Sequence, residues 1–68
     1  MRILVTGYGG FLGSEICRQL IRNGFEVMGL ARNSYSNLVR LGVEPLLGDV
    51  ASPKTCRAAC RGCHAVIH

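Results

Sequence analysis

The stretch VTGYGGFLG, residues 5–13, decides how this chain folds. It holds four of the nine glycines in 68 residues, directly after an apolar run and directly before a segment of helical periodicity. A strand, a glycine-rich turn and a helix start in succession make an anion site, because unpaired N–H groups and the positive end of the helix dipole face one point. Pyrophosphate suits such a point. In the spacing G-x-x-G-x-x-G, Gly7 permits the tight turn, Gly10 removes a Cβ so that phosphates can approach the backbone, and Gly13 lets the helix pack closely on the sheet. Gly9 is an additional glycine that also gives G-x-G.

Working outward, Arg2, Ile3, Leu4 and Val5 form a continuous apolar, partly β-branched run, as expected of a first strand buried on both faces. Beyond the glycines, Leu12, Ile16 and Leu20, with Cys17 and Ile21 beside them, recur at helical spacing, while Ser14, Glu15, Arg18 and Arg22 fall opposite. This predicts a helix over residues 11–23, with Gly24 where a C′ glycine would end it. EVMGLA, residues 26–31, reads as a second strand, and RNSYSN after it is turn chemistry. Leu38, Val39 and Leu41 before Gly42 suggest a short helix. VEPLLGD, residues 43–49, reads as a third strand that Pro45 demotes to an edge position. Ser52-Pro53 is a helix start, an N-cap serine followed by proline at the first helical position, and predicts a helix over residues 53–61 before Gly62. AVIH, residues 65–68, reads as a fourth strand. The alternation of strands and helices implies an α/β fold with a parallel sheet and right-handed crossovers.

Composition narrows the function classes. The net charge of +4 comes from seven Arg and one Lys against four acids, and the arginines are scattered without the block a nucleic-acid footprint needs. No apolar run approaches a membrane span, and Met1-Arg2 leads straight into a strand, so the reading is a soluble, cytoplasmic protein with neither a nucleic-acid nor a membrane partner. Four cysteines in that setting are expected to be free thiols. An apolar fraction of 49% is high for so small a chain and suggests apolar surface meant for something outside it.

TGYGGFLG resembles the T-G-x-x-G-x-x-G element of the short-chain dehydrogenase/reductase superfamily, and most of all its extended, epimerase/dehydratase-like branch. The resemblance continues through GLAR, GDV and HAVIH and covers essentially the whole chain. It implies a Rossmann-type sheet with strand order 3-2-1-4, the N-terminal half of a doubly wound domain, and so a dinucleotide-binding half-domain over residues 1–68. That order leaves strand 3 at the edge, where Pro45 is tolerated. The resemblance also places an aspartate after strand 3 beside the adenine, which falls on Asp49, with Val50 next to it. Candidate cofactor-binding residues are therefore Thr6, Gly7, Tyr8, Gly9, Gly10, Phe11, Leu12 and Gly13 in the loop and helix start, Arg32 and Asn33 after strand 2, and Asp49 and Val50.

Arg32 bears on cofactor choice. An acid about 20 residues after the glycines marks NAD, whereas an arginine there accommodates the 2′-phosphate of NADP. Arg32 lies nineteen residues after Gly13, and no acid occurs between Glu26 and Glu44. A guanidinium forms a charge-assisted pair with phosphate, and Asn33 and Ser34 can add hydrogen bonds, so NADP is favoured over NAD. The family's acid/base Tyr-x-x-x-Lys cannot be placed: Tyr35 has Val39 four residues on, and Lys54 is the sole lysine. Both tyrosines read as structural or cofactor-adjacent, no residue is assigned a catalytic role, and the 68 residues alone are expected to be inactive. The expected function is the dinucleotide-binding portion of an NAD(P)-dependent oxidoreductase, epimerase or dehydratase. The alternative is a non-catalytic module that senses NADP(H) or completes its sheet with a partner. Strand 4 would have an unpaired outer edge, which invites self-association or pairing with a remainder of the domain.

CRAACRGCH, residues 56–64, carries a C-x3-C-x2-C spacing and a C-x-x-C-H spacing. Neither an exported haem protein nor a radical-enzyme barrel suits this chain, and a zinc site from Cys60, Cys63 and His64 has only suitable ligand types in its favour. The simpler expectation is no metal, with Cys56 and Cys60 packing on the sheet as small hydrophobes and His64 at the surface near a helix C-terminus.

Overall fold

A computed structural model describes residues 1–49 and 51–67. Four strands, β1 (Arg2–Thr6), β2 (Glu26–Ala31), β3 (Glu44–Leu47) and β4 (Ala65–Ile67), alternate with three helices, α1 (Phe11–Arg22), α2 (Ser36–Leu41) and α3 (Pro53–Cys60). The sheet has the order β3-β2-β1-β4 with every pairing parallel. β1 is central, its register running from Arg2 opposite Glu26 to Thr6 opposite Leu30 on one side and from Ile3 opposite Ala65 to Val5 opposite Ile67 on the other.

The unbroken apolar run of β1 follows from this position, because successive side chains point to opposite faces and both faces are covered. Ile3 and Val5 join Val27, Val43, Cys17 of α1 and Leu38 of α2, whereas Leu4 joins Leu30 and Ala59 of α3. Leu4 and Leu30 are fully buried, and each contributes about 1.5–3 kcal/mol by leaving water. β3 is an edge strand, where Pro45 sits opposite Gly29 and can lack a donor without interrupting a central ladder.

Local chemistry sets the ends. Gly24 (φ +85°) follows α1, where the Asn23 side chain donates to the Gln19 carbonyl at 2.7 Å. Gly42 closes α2 in the left-handed region, and α3 opens with the Thr55 N–H donating to Ser52 Oγ at 3.3 Å and Pro53 in the first turn. α2 begins earlier than its apolar residues suggest, with Tyr35 as N-cap.

The C-terminal segment departs from the sequence reading at Cys60. Cys60 is exposed, because Ala59 takes the helix position that faces the sheet; Cys56 and Cys63 are half-buried. The Cys63 thiol donates to the Ala59 carbonyl at 3.4 Å. His64 is exposed, as read, and also extends the β1–β4 ladder: its N–H donates to Arg2 O at 2.8 Å, and its Nδ1 accepts the Arg2 N–H at 3.1 Å. Among the described residues no three His, Cys, Asp or Glu side chains could hold a metal ion, and no helix is long and apolar enough to cross a membrane.

Candidate functional site

The loop between β1 and α1 is held from three sides. Gly7 turns the chain at φ +61°, its N–H donates to Leu30 O of β2 at 3.2 Å, and its carbonyl accepts the Gly10 N–H at 3.2 Å. The Thr6 hydroxyl donates to Ile67 O at 3.4 Å, tying the end of β1 to the end of β4.

The glycines have different reasons to be there. A Cβ at Gly13 would collide with the Gly7 carbonyl and approach Tyr8 Cα at 2.9 Å, so the close contact is with the turn itself and not with the sheet. At Gly10 a Cβ would meet only the Gly7 carbonyl at 3.6 Å, an ordinary contact. The fold therefore requires glycine at position 13 but leaves position 10 open.

Tyr8 is in the loop, yet its side chain turns inward and is fully buried. Its ring fills the space a Gly29 side chain would take and meets the Tyr35 ring edge-to-face, with centroids 5.1 Å apart at 89°. The Tyr35 ring in turn covers Gly9. Among the described residues the Tyr8 hydroxyl finds no hydrogen-bond partner of good geometry, although the Tyr35 backbone comes near it. Burial pushes its pKa up, outweighing that backbone contact.

Two clefts meet at Gly7. One, of about 510 Å³, lies over the carboxyl ends of β1 and β4 and the start of α1, between Thr6, Gly10, Leu12, Ile16 and Ile67. Gly10 is the N-cap of α1, no side chain caps the first turn and no acid lies in it, so the helix start offers donors and positive potential to this cleft. Phe11 and Leu12 are exposed at its mouth. The other, of about 400 Å³, lies past β2 and β3 between Ala31, Arg32, Asn33, Tyr35, Gly48 and Asp49.

In the second cleft Arg32 Nη2 lies 3.5 Å from Asp49 Oδ2. Asp49 Oδ1 accepts the Ala51 N–H at 2.9 Å, and its main-chain carbonyl accepts the Ser52 N–H at 3.0 Å. The Ala51 bond first, and the Arg32 charge after it, hold the Asp49 carboxyl below the usual carboxylate range.

The structure thus brings Thr6, Gly7, Gly10, Phe11, Leu12 and Gly13 around one cleft and Arg32, Asn33 and Asp49 around the next. Tyr8 and Gly9 form the back of the loop, and Val50 lies outside the described residues. Ile16 and Ile67 were not among the residues singled out for binding, nor was Gly48. Ile67 was within reach, since it ends a strand parallel to β1 and ligands gather at carboxyl ends of such strands.

Residues 3–68 match the model of the NAD dependent epimerase/dehydratase family. The chain is 47% identical over 64 residues to a 2-alkyl-3-oxoalkanoate reductase of Shewanella oneidensis, covering 94% of this chain and 16% of that protein. It is 44% identical over 68 residues to the enzyme of the same name from Stenotrophomonas maltophilia, covering all of this chain and 21% of that one. The crystal structure of vestitone reductase from alfalfa superimposes with a TM-score of 0.82 at 33% identity, over 96% of this chain and 23% of the reductase. The chain thus spans no more than about a fifth of the length of these curated relatives.

Proposed function

Because the chain belongs to the NAD-dependent epimerase/dehydratase family, we propose that its two joined clefts hold one dinucleotide, as the NAD(P)-binding part of an oxidoreductase. The observation that carries this reading is Gly10. The fold has room for a Cβ there, and that Cβ would lie at the cleft over the start of α1, where no side chain caps the helix. A pyrophosphate at this point meets the helix-start donors of Phe11, Leu12 and Gly13 and the turn at Gly7.

The second cleft would take the adenosine end, with Asn33 and Arg32 to hold the ribose and Asp49 the adenine. Thr6 and Ile67, in the first cleft, would flank the nicotinamide end. When bound, the cofactor supplies or accepts a hydride; these residues orient it and shield it from water. The relatives' names describe reductases, so carbonyl reduction by the whole protein is the chemistry we favour. Arg32 favours NADP, since its exposed guanidinium can pair with a 2′-phosphate that NAD lacks.

Titration of the ¹⁵N-labelled chain with NADP⁺ and NAD⁺ tests this. The expected result is shifts of the amides of residues 7–13 with both, tighter binding of NADP⁺, and loss of most of that difference in Arg32→Ala. Gly10→Val should keep a dispersed spectrum and lose the shifts. Unaltered binding in Gly10→Val would refute the placement of the pyrophosphate.

A further inference from the structure

We propose that Asp49 opposes Arg32 in choosing the cofactor: its carboxylate restrains the preference for NADP, so that the chain discriminates less between the two dinucleotides than its arginine alone would dictate. The inference rests on the dinucleotide reading above. Its starting point is the ion pair at 3.5 Å that joins the two side chains on the adenosine-side cleft.

The two partners are not equally free. Asp49 is held by the Ala51 N–H on its other oxygen, in a turn closed by the Ser52 N–H, whereas the Arg32 side chain is 76% exposed and anchored by no other ion pair found among the described residues. The carboxylate is therefore the fixed member and the guanidinium the movable one. A 2′-phosphate that takes Arg32 has two ways to do so. It can draw the guanidinium off Asp49, which breaks the pair. It can also share the guanidinium, which leaves a dianion across one planar group from a carboxylate. Either route works against NADP, and neither touches NAD, whose ribose carries a neutral hydroxyl there.

The size follows from Coulomb's law. A charge of −2 at about 6–7 Å from a carboxylate in water changes the binding ratio roughly threefold at 0.15 M ionic strength and roughly fivefold at 0.01 M. Exposed pairs are weak in themselves, so the phosphate–carboxylate repulsion and not the broken pair sets this value.

The test is the ratio of the NADP⁺ and NAD⁺ dissociation constants from amide titrations of the wild-type chain and Asp49→Asn. Asparagine keeps an acceptor for the Ala51 N–H and removes the charge. Both dinucleotides carry the same adenine, so any effect of the substitution on adenine binding cancels in the ratio. The expected result is a ratio shifted about threefold further toward NADP⁺ at 0.15 M salt and more at 0.01 M. Should Asp49→Asn not fold, Asp49→Ser, which also caps such turns, serves in its place. Binding of both dinucleotides with an unchanged or lowered preference for NADP⁺ would overturn this inference alone. No shifts with either dinucleotide in the wild-type chain would overturn the cofactor reading and this inference together.

Discussion

Removing one oxygen atom, by Tyr8→Phe, is expected to stabilise this protein. The ring of Tyr8 is fully buried between Gly29 and Tyr35, contacts that phenylalanine reproduces. The hydroxyl is buried without a hydrogen bond of good geometry to any described residue, and leaving such a group unsatisfied costs about 1–3 kcal/mol. The nearby Tyr35 backbone offsets part of this, which places the gain near the lower bound, about 1 kcal/mol. In a domain of this size that corresponds to a rise in Tm of about 4–8 °C. Thermal unfolding followed by circular dichroism at pH 7 reads it directly. Alkaline pH adds a second signature. The folded state holds the Tyr8 proton more tightly than the unfolded chain does, so its contribution is fully present below the ordinary tyrosine value of 10.0 and is lost as pH rises toward the raised folded value. Phenylalanine has no such proton, and the advantage of the variant should widen above that pH. A Tm lowered by several degrees in Tyr8→Phe would show that the hydroxyl is well bonded and refute the reasoning.

Two glycines should differ: Gly13→Ala forces a Cβ onto backbone atoms and is expected to cost about 1–3 kcal/mol or more in chemical denaturation, whereas Gly10→Ala meets no clash and should cost only the N-cap difference, about 0.5–1 kcal/mol. Thiol titration should count four thiols in denaturant, and in the native protein Cys60 should react before Cys17, since burial hides the Cys17 thiol and raises its pKa. Self-association through the outer edge of β4, which pairs only with β1 among the described residues, should appear in sedimentation as a concentration-dependent dimer; a monomer at high concentration would exclude it.

Every strand and helix could be anticipated because each carries a local signal: an apolar run, a helical stripe, a serine before a proline, a glycine at a stop. The strand order required more, since order depends on which edges meet; it came from the resemblance, with Pro45 as the one residue that marks an edge by itself. The cleft of the candidate site was legible where backbone chemistry decides it, in residues 6–13, and its surroundings less so where side chains from distant segments meet. That Tyr8 would turn inward depends on Gly29, twenty-one residues away on another strand, and no periodicity links the two. The Arg32–Asp49 pair likewise joins the ends of β2 and β3 only once those strands lie side by side. The exposure of Cys60 was misjudged because Cys56 and Cys60 share a face, but Ala59 decides which face the sheet sees.

The pairing of β4 with β1 has a consequence for the order in which the molecule assembles. Arg2 and His64, which exchange hydrogen bonds across that pairing, are 62 residues apart, whereas Arg2 and Glu26 across the β1–β2 pairing are 24 apart. Closing the longer loop costs about 0.8 kcal/mol more chain entropy, for a strand of three described residues instead of six. β4 is thus the costlier strand to dock and offers the smaller return, which makes it the natural late step in folding and an early one to fray. Ile67, which walls the first cleft, and the carbonyl that receives the Thr6 hydroxyl both arrive with it. A dinucleotide that requires that wall binds the finished fold in preference to one with β4 detached, and so acts as a clasp on the segment the chain itself secures least.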